Sequence, residues 1–238
     1  MKERNTPLNK IDRRHIYGIM LDTETANTID NDGKLDMSNV LPYDFGFAVI
    51  DTYGRVYETF SFVNSDIFYH ERELMQSAYY ANKIPQYERE IQEGKRTVAN
   101  TYWIQHKLWE ICIKYKCKFV CAHNMFFDYR ACNNAVRWTT KSKYRYFFPY
   151  GIELWDTMRM AQSVICKMPT YRKFCEEHGY ITKNNQLRKT AEILYQFITK
   201  DTEFQEEHTG LEDVLIEVEI LKYCRRQHKA MVKKLFNE

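Results

Sequence analysis

Asp22 and Glu24 stand two residues apart at the end of an apolar run, Ile16 to Leu21, so on an extended chain both carboxylates point to one face. Carboxylates crowded at the end of a buried strand raise each other's pKa unless a cation neutralises them, which makes the pair a candidate for holding metal. A second acidic position, Asp128, closes the segment Ala122-His123-Asn124-Met125-Phe126-Phe127-Asp128, where a strand gives way to a helix. Its carboxylate falls in the first helical turn, where it suits the local dipole as well as a ligand role. The third group is His208-Thr209-Gly210-Leu211-Glu212-Asp213. Thr209 and Glu212 have the spacing of a capping box, which starts the last helix just after Thr209. Asp213 is then held in a rigid first turn while His208 hangs outside the helix. That asymmetry suits a fixed ligand beside a proton acceptor that can adjust.

Together the three segments resemble the DEDDh family of 3′→5′ exonucleases, the group that includes the proofreading (epsilon) subunits of bacterial DNA polymerase III. The family's Asp-x-Glu-Thr matches Asp22-Thr23-Glu24-Thr25, its Asn-x-x-Phe-Asp matches Asn124 to Asp128, and its His-x-x-x-x-Asp matches His208 to Asp213. The resemblance covers about residues 15 to 225. One departure is Ala26-Asn27, where many members carry Thr-Gly near the terminal sugar.

The resemblance implies an α/β, RNase H-like fold with a mixed five-stranded sheet flanked by helices. It also implies a hydrolase that removes nucleoside 5′-monophosphates from the 3′ end of single-stranded or frayed DNA. Asp22, Glu24, Asp128 and Asp213 would hold two Mg²⁺ or Mn²⁺ ions, with Asp22 bridging them, and His208 would be the general base. Oxygen ligands select hard cations of this kind. Thr25, Asn124 and Phe127 are the implied substrate contacts. RNA is the alternative substrate, because related members trim RNA with the same five residues, and a non-catalytic nucleic-acid-binding module is the alternative of a different class. A polymerase partner is compatible with the family, although no segment indicates one.

Hydrophobic patterning supplies the elements that would carry these residues. Ile16 to Leu21, Phe45 to Ile50 and Val56 to Val63 read as strands, the last two joined as a hairpin across Asp51-Thr52-Tyr53-Gly54. Asn27 to Tyr43 reads as a solvated loop, since Asp30, Asp32, Gly33 and Asp36 miss the ligand order of an EF-hand. From Thr97 the apolar positions recur three or four apart as far as Tyr115, predicting a long helix. That helix leads into a buried strand, Phe119 to Ala122, and a second such strand, Leu154-Trp155, ends at Asp156. Asp156-Thr157 reads most simply as a helix cap. Helices are expected around Thr157 to Ile165, Thr170 to His178, Lys189 to Thr199 and Gly210 to Lys234. The domain reading is a polar extension over residues 1–14 and one exonuclease domain over 15–238, ending in a C-terminal helix.

Composition narrows the partners. A net charge of +3 rules out a polycation that coats nucleic acid, so any such contact is local. Arg137 to Tyr146 interleaves cations with rings directly after the second motif, a pattern suited to tracking phosphates and stacking bases. Lys222, Arg225, Arg226, Lys229, Lys233 and Lys234 are expected on the polar face of the last helix. The first ten residues lack an apolar core, and no run reaches the ~18 apolar residues of a membrane span, so a cytoplasmic location without membrane contact is expected. Seven cysteines without a CxxC pair point to reduced thiols. Cys117, Cys121 and His123 read as a helix end and a buried strand rather than a zinc site.

Overall fold

The computed structural model describes residues 11–26, 40–78 and 81–236. Residues 27–39, which hold most of the expected solvated loop, and the first ten residues lie outside these. β1 (Tyr17–Ala26) is buried along its length except at Asp22, which is partly exposed. It pairs antiparallel with β2 (Leu41–Asp51), which pairs antiparallel with β3 (Val56–Asn64). The hairpin turn between them closes as expected. Gly54 takes a φ of 80° there and donates to the Asp51 carbonyl, while the Asp51 carboxylate accepts from the N–H of Tyr53 and Arg55.

A short strand, β4 (Thr97–Ala99), pairs parallel with β3, whereas β5 (Phe119–Ala122) and β6 (Glu153–Asp156) extend the other side in parallel from β1. Among the described residues the sheet therefore has six strands in the order β4-β3-β2-β1-β5-β6, one more than expected. The additional strand is β4. Its three residues sit immediately before Asn100, whose side chain accepts from the Trp103 N–H and starts α4 (Thr101–Tyr115). Val98 fits the helical spacing of the residues that follow, which disguises the strand.

Helices cover both faces. Ile19 and Leu21 of β1 pack with α4 and α5 (Met125–Thr140). Met20, on the other face, packs with α6 (Thr157–Val164), α7 (Pro169–Glu177), α8 (Ala191–Thr199) and α9 (Gly210–Arg226). A segment that patterning left unassigned folds as α1 (Ser65–Phe68), α2 (Arg72–Ser77) and α3 (Ile84–Gln92), with a third cluster around Tyr43, Phe68 and Tyr87 beneath it.

The last helix stops at Arg226, eight residues short of expectation, and His228 then turns the chain with a φ of 51°. Beyond it the chain runs beside β6. Asp156 N–H donates to the Lys233 carbonyl and Leu235 N–H to the Leu154 carbonyl, each at 2.8 Å. Lys229, Lys233 and Lys234 therefore do not lie on a helical face. Burying Leu235 and covering an open sheet edge favours this path over further helix.

Candidate active site

Strand alternation puts Met20, Asp22 and Glu24 on the face of β1 that looks toward α9, and Thr23 on the face that looks toward α5. Asp22 is paired in register with Gly46, and Glu24 with Asp44. The first turn of α9 comes against this point because two glycines meet there. A Cβ on Gly46 would overlap the Gly210 backbone, and one on Gly210 would stand 2.7 Å from the Gly46 nitrogen. No larger residue at either position permits that approach, which is what brings Asp213 to β1.

Thr209 is the N-cap of α9, as its spacing predicts, but its hydroxyl donates to Glu212 Oε2 at 2.6 Å instead of accepting from the helix. The first N–H of the helix, on Gly210, donates to Asp44 Oδ2 at 2.9 Å. Asp44 also accepts from Arg96 Nη1 at 3.0 and 2.8 Å and from the Tyr87 hydroxyl at 2.7 Å. The helix that carries Asp213 is thus fastened to β2 by a buried, fully hydrogen-bonded carboxylate.

Among the described residues, Glu24, His208 and Asp213 form a group whose ligand atoms all lie within 4.8 Å of one another. Asp22 joins them in lining a cavity of about 550 Å³, whose walls also include Asn124, Arg188, Lys189, Glu206 and Glu217. Asp128 is different. It is 2% exposed, does not line the cavity, and accepts from the Thr23 hydroxyl at 2.8 Å. Its charge nonetheless reaches Asp22 and helps to raise that carboxyl.

Burial comes first among the causes that push Asp22 and Glu24 well above the usual carboxylate range. Glu217 then adds most to the rise at Asp22, and Asp213 to the rise at Glu24. Burial followed by Glu206 pushes Asp213 up to about 8, and burial raises Asp128 to about 7 against the Thr23 hydrogen bond. The Oδ1 of Asp213, Oε2 of Glu217 and Oε1 of Glu206 are buried without a hydrogen-bond partner. Acceptor-only oxygens converging without donors are the donor set of a hard divalent cation, so the residues present fit such an ion.

His208 adopts a φ of 49°, a left-handed conformation uncommon for a residue with a side chain. Its Nδ1 is 3.8 Å from Glu206 Oε2. Lys83 holds the same loop by donating to the Glu207 carbonyl and, at 3.2 Å, to the His208 carbonyl. Burial and then the Lys83 charge lower the His208 pKa, which keeps the ring neutral and able to accept a proton near neutral pH.

Thr25 is buried in β1 just past a register shift, and Asn124, with a φ of 65°, opens α5 at the cavity wall. Phe127 is half-buried and belongs to none of the three apolar clusters. Asp156 caps α6, accepting from Met158 and Arg159 N–H, and also accepts from Asn124 N–H. His123 spends both ring nitrogens on Thr157 Oγ1 and the Lys189 carbonyl, which places it in the structure of the wall.

The run from Arg137 to Tyr146 follows the second motif in sequence but begins in the last turn of α5, roughly 14 Å along the helix from Asp128 at 1.5 Å per residue. Its cations rest on its own rings, Lys141 over Trp138 at 4.3 Å and Arg137 over Tyr146 at 5.3 Å. Arg188 and Lys189 are instead the cations in the cavity wall. Neither they nor Lys83, Glu206 and Glu217 belong to the sequence motifs. Glu217 alone carried a readable signal, since it lies one helical turn after Asp213 in an otherwise apolar stripe with Val214, Val218 and Leu221.

No protein-family model matches the chain, and no curated protein matches it in sequence. Solved structures do. The chain is similar to E. coli exonuclease I in complex with a 5cy-dT13 oligonucleotide, at 12% identity and a TM-score of 0.55, over 90% of this chain and 41% of that one. It is likewise similar to a moderately thermophilic exonuclease I from Methylocaldum szegediense, at 13% identity and a TM-score of 0.55, with 90% and 41% covered. The chain spans about two fifths of the length of these proteins. What it shares with them is the fold, a mixed α/β sheet of the RNase H-like type with helices on both faces.

Proposed function

We propose that the chain is a divalent-metal-dependent 3′→5′ exonuclease of the DEDDh type that acts on single-stranded DNA. The observation that carries this reading is the convergence of Glu24, His208 and Asp213 within 4.8 Å, beside Asp22 in one cavity. Support comes from the fold shared with exonuclease I, a protein seen in complex with an oligo-dT strand.

Asp22, Glu24 and Asp213 would hold Mg²⁺ or Mn²⁺ in the cavity, with Asp128 behind them on the α5 side. Bound there, a pair of such ions supplies an activated water and offsets charge on the phosphoryl group and leaving 3′ oxygen. His208, kept neutral, takes the proton of the attacking water, and Glu206 beside its Nδ1 steadies the cation that forms. Arg188 and Lys189 line the wall where the phosphates of an entering strand would run. Thr25, Asn124 and Phe127 are the proposed contacts to the terminal nucleotide, and Asn124 of the three lines the cavity.

Matched DNA and RNA oligonucleotides labelled at the 5′ end, digested with Mg²⁺ or Mn²⁺, test this directly. DNA is expected to shorten stepwise from the 3′ end, with no product from Asp22→Ala and a rate ~10²–10⁴-fold lower from His208→Ala. Wild-type digestion by Asp22→Ala, with contaminating nuclease excluded, would overturn the site. Degradation of RNA alone would overturn the substrate.

A further inference from the structure

We propose that Glu217 is a fifth carboxylate of the metal centre, an ion ligand contributed by the same helix as Asp213; the inference rests on the nuclease reading above. Three features of its placement point there. Glu217 follows Asp213 by four residues on α9, so the two side chains leave the same side of the helix one turn apart. It lines the same cavity as Asp22, Glu24, Asp213 and His208. It is 2% exposed, and its Oε2 is buried without a hydrogen-bond partner.

The surroundings exclude a bland packing role. Val214, Val218, Ile220 and Leu221 fill the neighbouring positions of α9 in the core, where an apolar side chain would pack without cost. The charges acting on Glu217 are those of Asp128, Asp213 and Glu206, all of its own sign. A buried carboxylate in such company stays ionised only where a cation faces it, and otherwise takes up a proton. Asp22 and Glu217 line the same cavity, and Glu217 is the charge that acts most on Asp22, so an ion held by Asp22 would have Glu217 nearby as a ligand, directly or through one of the waters that Mg²⁺ and Mn²⁺ retain.

The experiment is a titration of the whole metal-free chain with Mn²⁺ alone, without nucleic acid, reading free Mn²⁺ by electron paramagnetic resonance. Wild type, Glu217→Gln and Asp22→Asn are compared. Glu217→Gln keeps the shape while removing the charge, and is expected to weaken Mn²⁺ binding by about ten-fold or more, within the range seen when a supporting ligand group is lost. Its unfolding midpoint without metal should rise while the increment given by saturating Mn²⁺ shrinks. If Glu217→Gln does not fold, Glu217→Asp, which withdraws the charge by one methylene, is read in the same way. Wild-type affinity in the folded Glu217 variant, with binding lost in Asp22→Asn, overturns the role of Glu217 and leaves the nuclease reading standing. Absence of Mn²⁺ binding in the wild type overturns both.

Discussion

Asp44 and Glu24 face each other across β1 and β2, and the protein treats these two buried carboxylates in opposite ways. Asp44 receives both contacts from Arg96, the Tyr87 hydroxyl and the Gly210 N–H, all within 3.0 Å. Around Glu24 the charges are mostly those of further carboxylates, Asp213, Asp44 and Asp128, opposed by Lys83, and Asp213 and Glu217 each keep a buried oxygen without a donor. The first arrangement is complete from the chain's own atoms and serves the fold. The second is left incomplete by the chain's own atoms, and on the reading proposed above a cation completes it.

The largest effect that tests this contrast is on stability. Arg96→Met leaves Asp44 and Glu90 without their buried partner and is expected to cost about 3–5 kcal/mol in urea unfolding. A loss under ~1 kcal/mol would show that Asp44 does not depend on its cation, and the contrast would collapse.

The second prediction concerns the incomplete side. In metal-free protein Asp128 and Asp213 are raised to about 7 and about 8, above the unfolded value of ~3.9. A carboxyl raised in the folded state favours folding fully below the unfolded pKa, and that contribution is lost as pH rises through the folded pKa. With chelator present, the Tm should therefore fall between pH 5 and pH 8.5 by at least ~2–4 °C, the shift that one kcal/mol produces in a chain of this size. Saturating Mn²⁺ should flatten or reverse the slope. Calorimetry that finds the same slope with and without metal would count against a cation site.

The smallest effect separates a counter-ion from a tether. Lys83 acts electrostatically on Glu24 and Asp213, yet its amine is committed to the carbonyls of Glu207 and His208. Lys83→Met should lower kcat by roughly ten-fold, short of the ~10²-fold that follows a 1 Å misplacement, with stability changed by less than ~1 kcal/mol. Unchanged kcat with altered Mn²⁺ affinity would assign it to the charge balance instead.

The motif residues were legible because each depends on a local rule. Asp22 and Glu24 share a face by strand alternation, and Asp128 and Asp213 fall in first helical turns. The capping residue of α9 was equally local, although its hydroxyl turned out to serve Glu212. Long-range partnerships left no such trace. Arg96 reaches Asp44 across 52 residues, and Lys83 reaches the His208 loop across 125. The Arg137 to Tyr146 run misled for the complementary reason, because adjacency in sequence was converted by a 16-residue helix into distance. β4 is too short for a period to show, and the end of α9 is set by the β6 edge that the following segment covers.

The contact between Gly46 and Gly210 also orders events in time. Asp22, Glu24 and Asp128 emerge early in synthesis, but Asp213 and His208 reach them only once α9 has seated its first turn on β2. At ~5–20 residues per second, the 166 residues from Asp44 of β2 to Gly210 of that helix represent many seconds in which a growing chain carries Asp22 and Glu24 without Asp213 and His208. On the nuclease reading proposed above, competence would arrive with the closing of the fold, because a chain interrupted before Gly210 lacks Asp213.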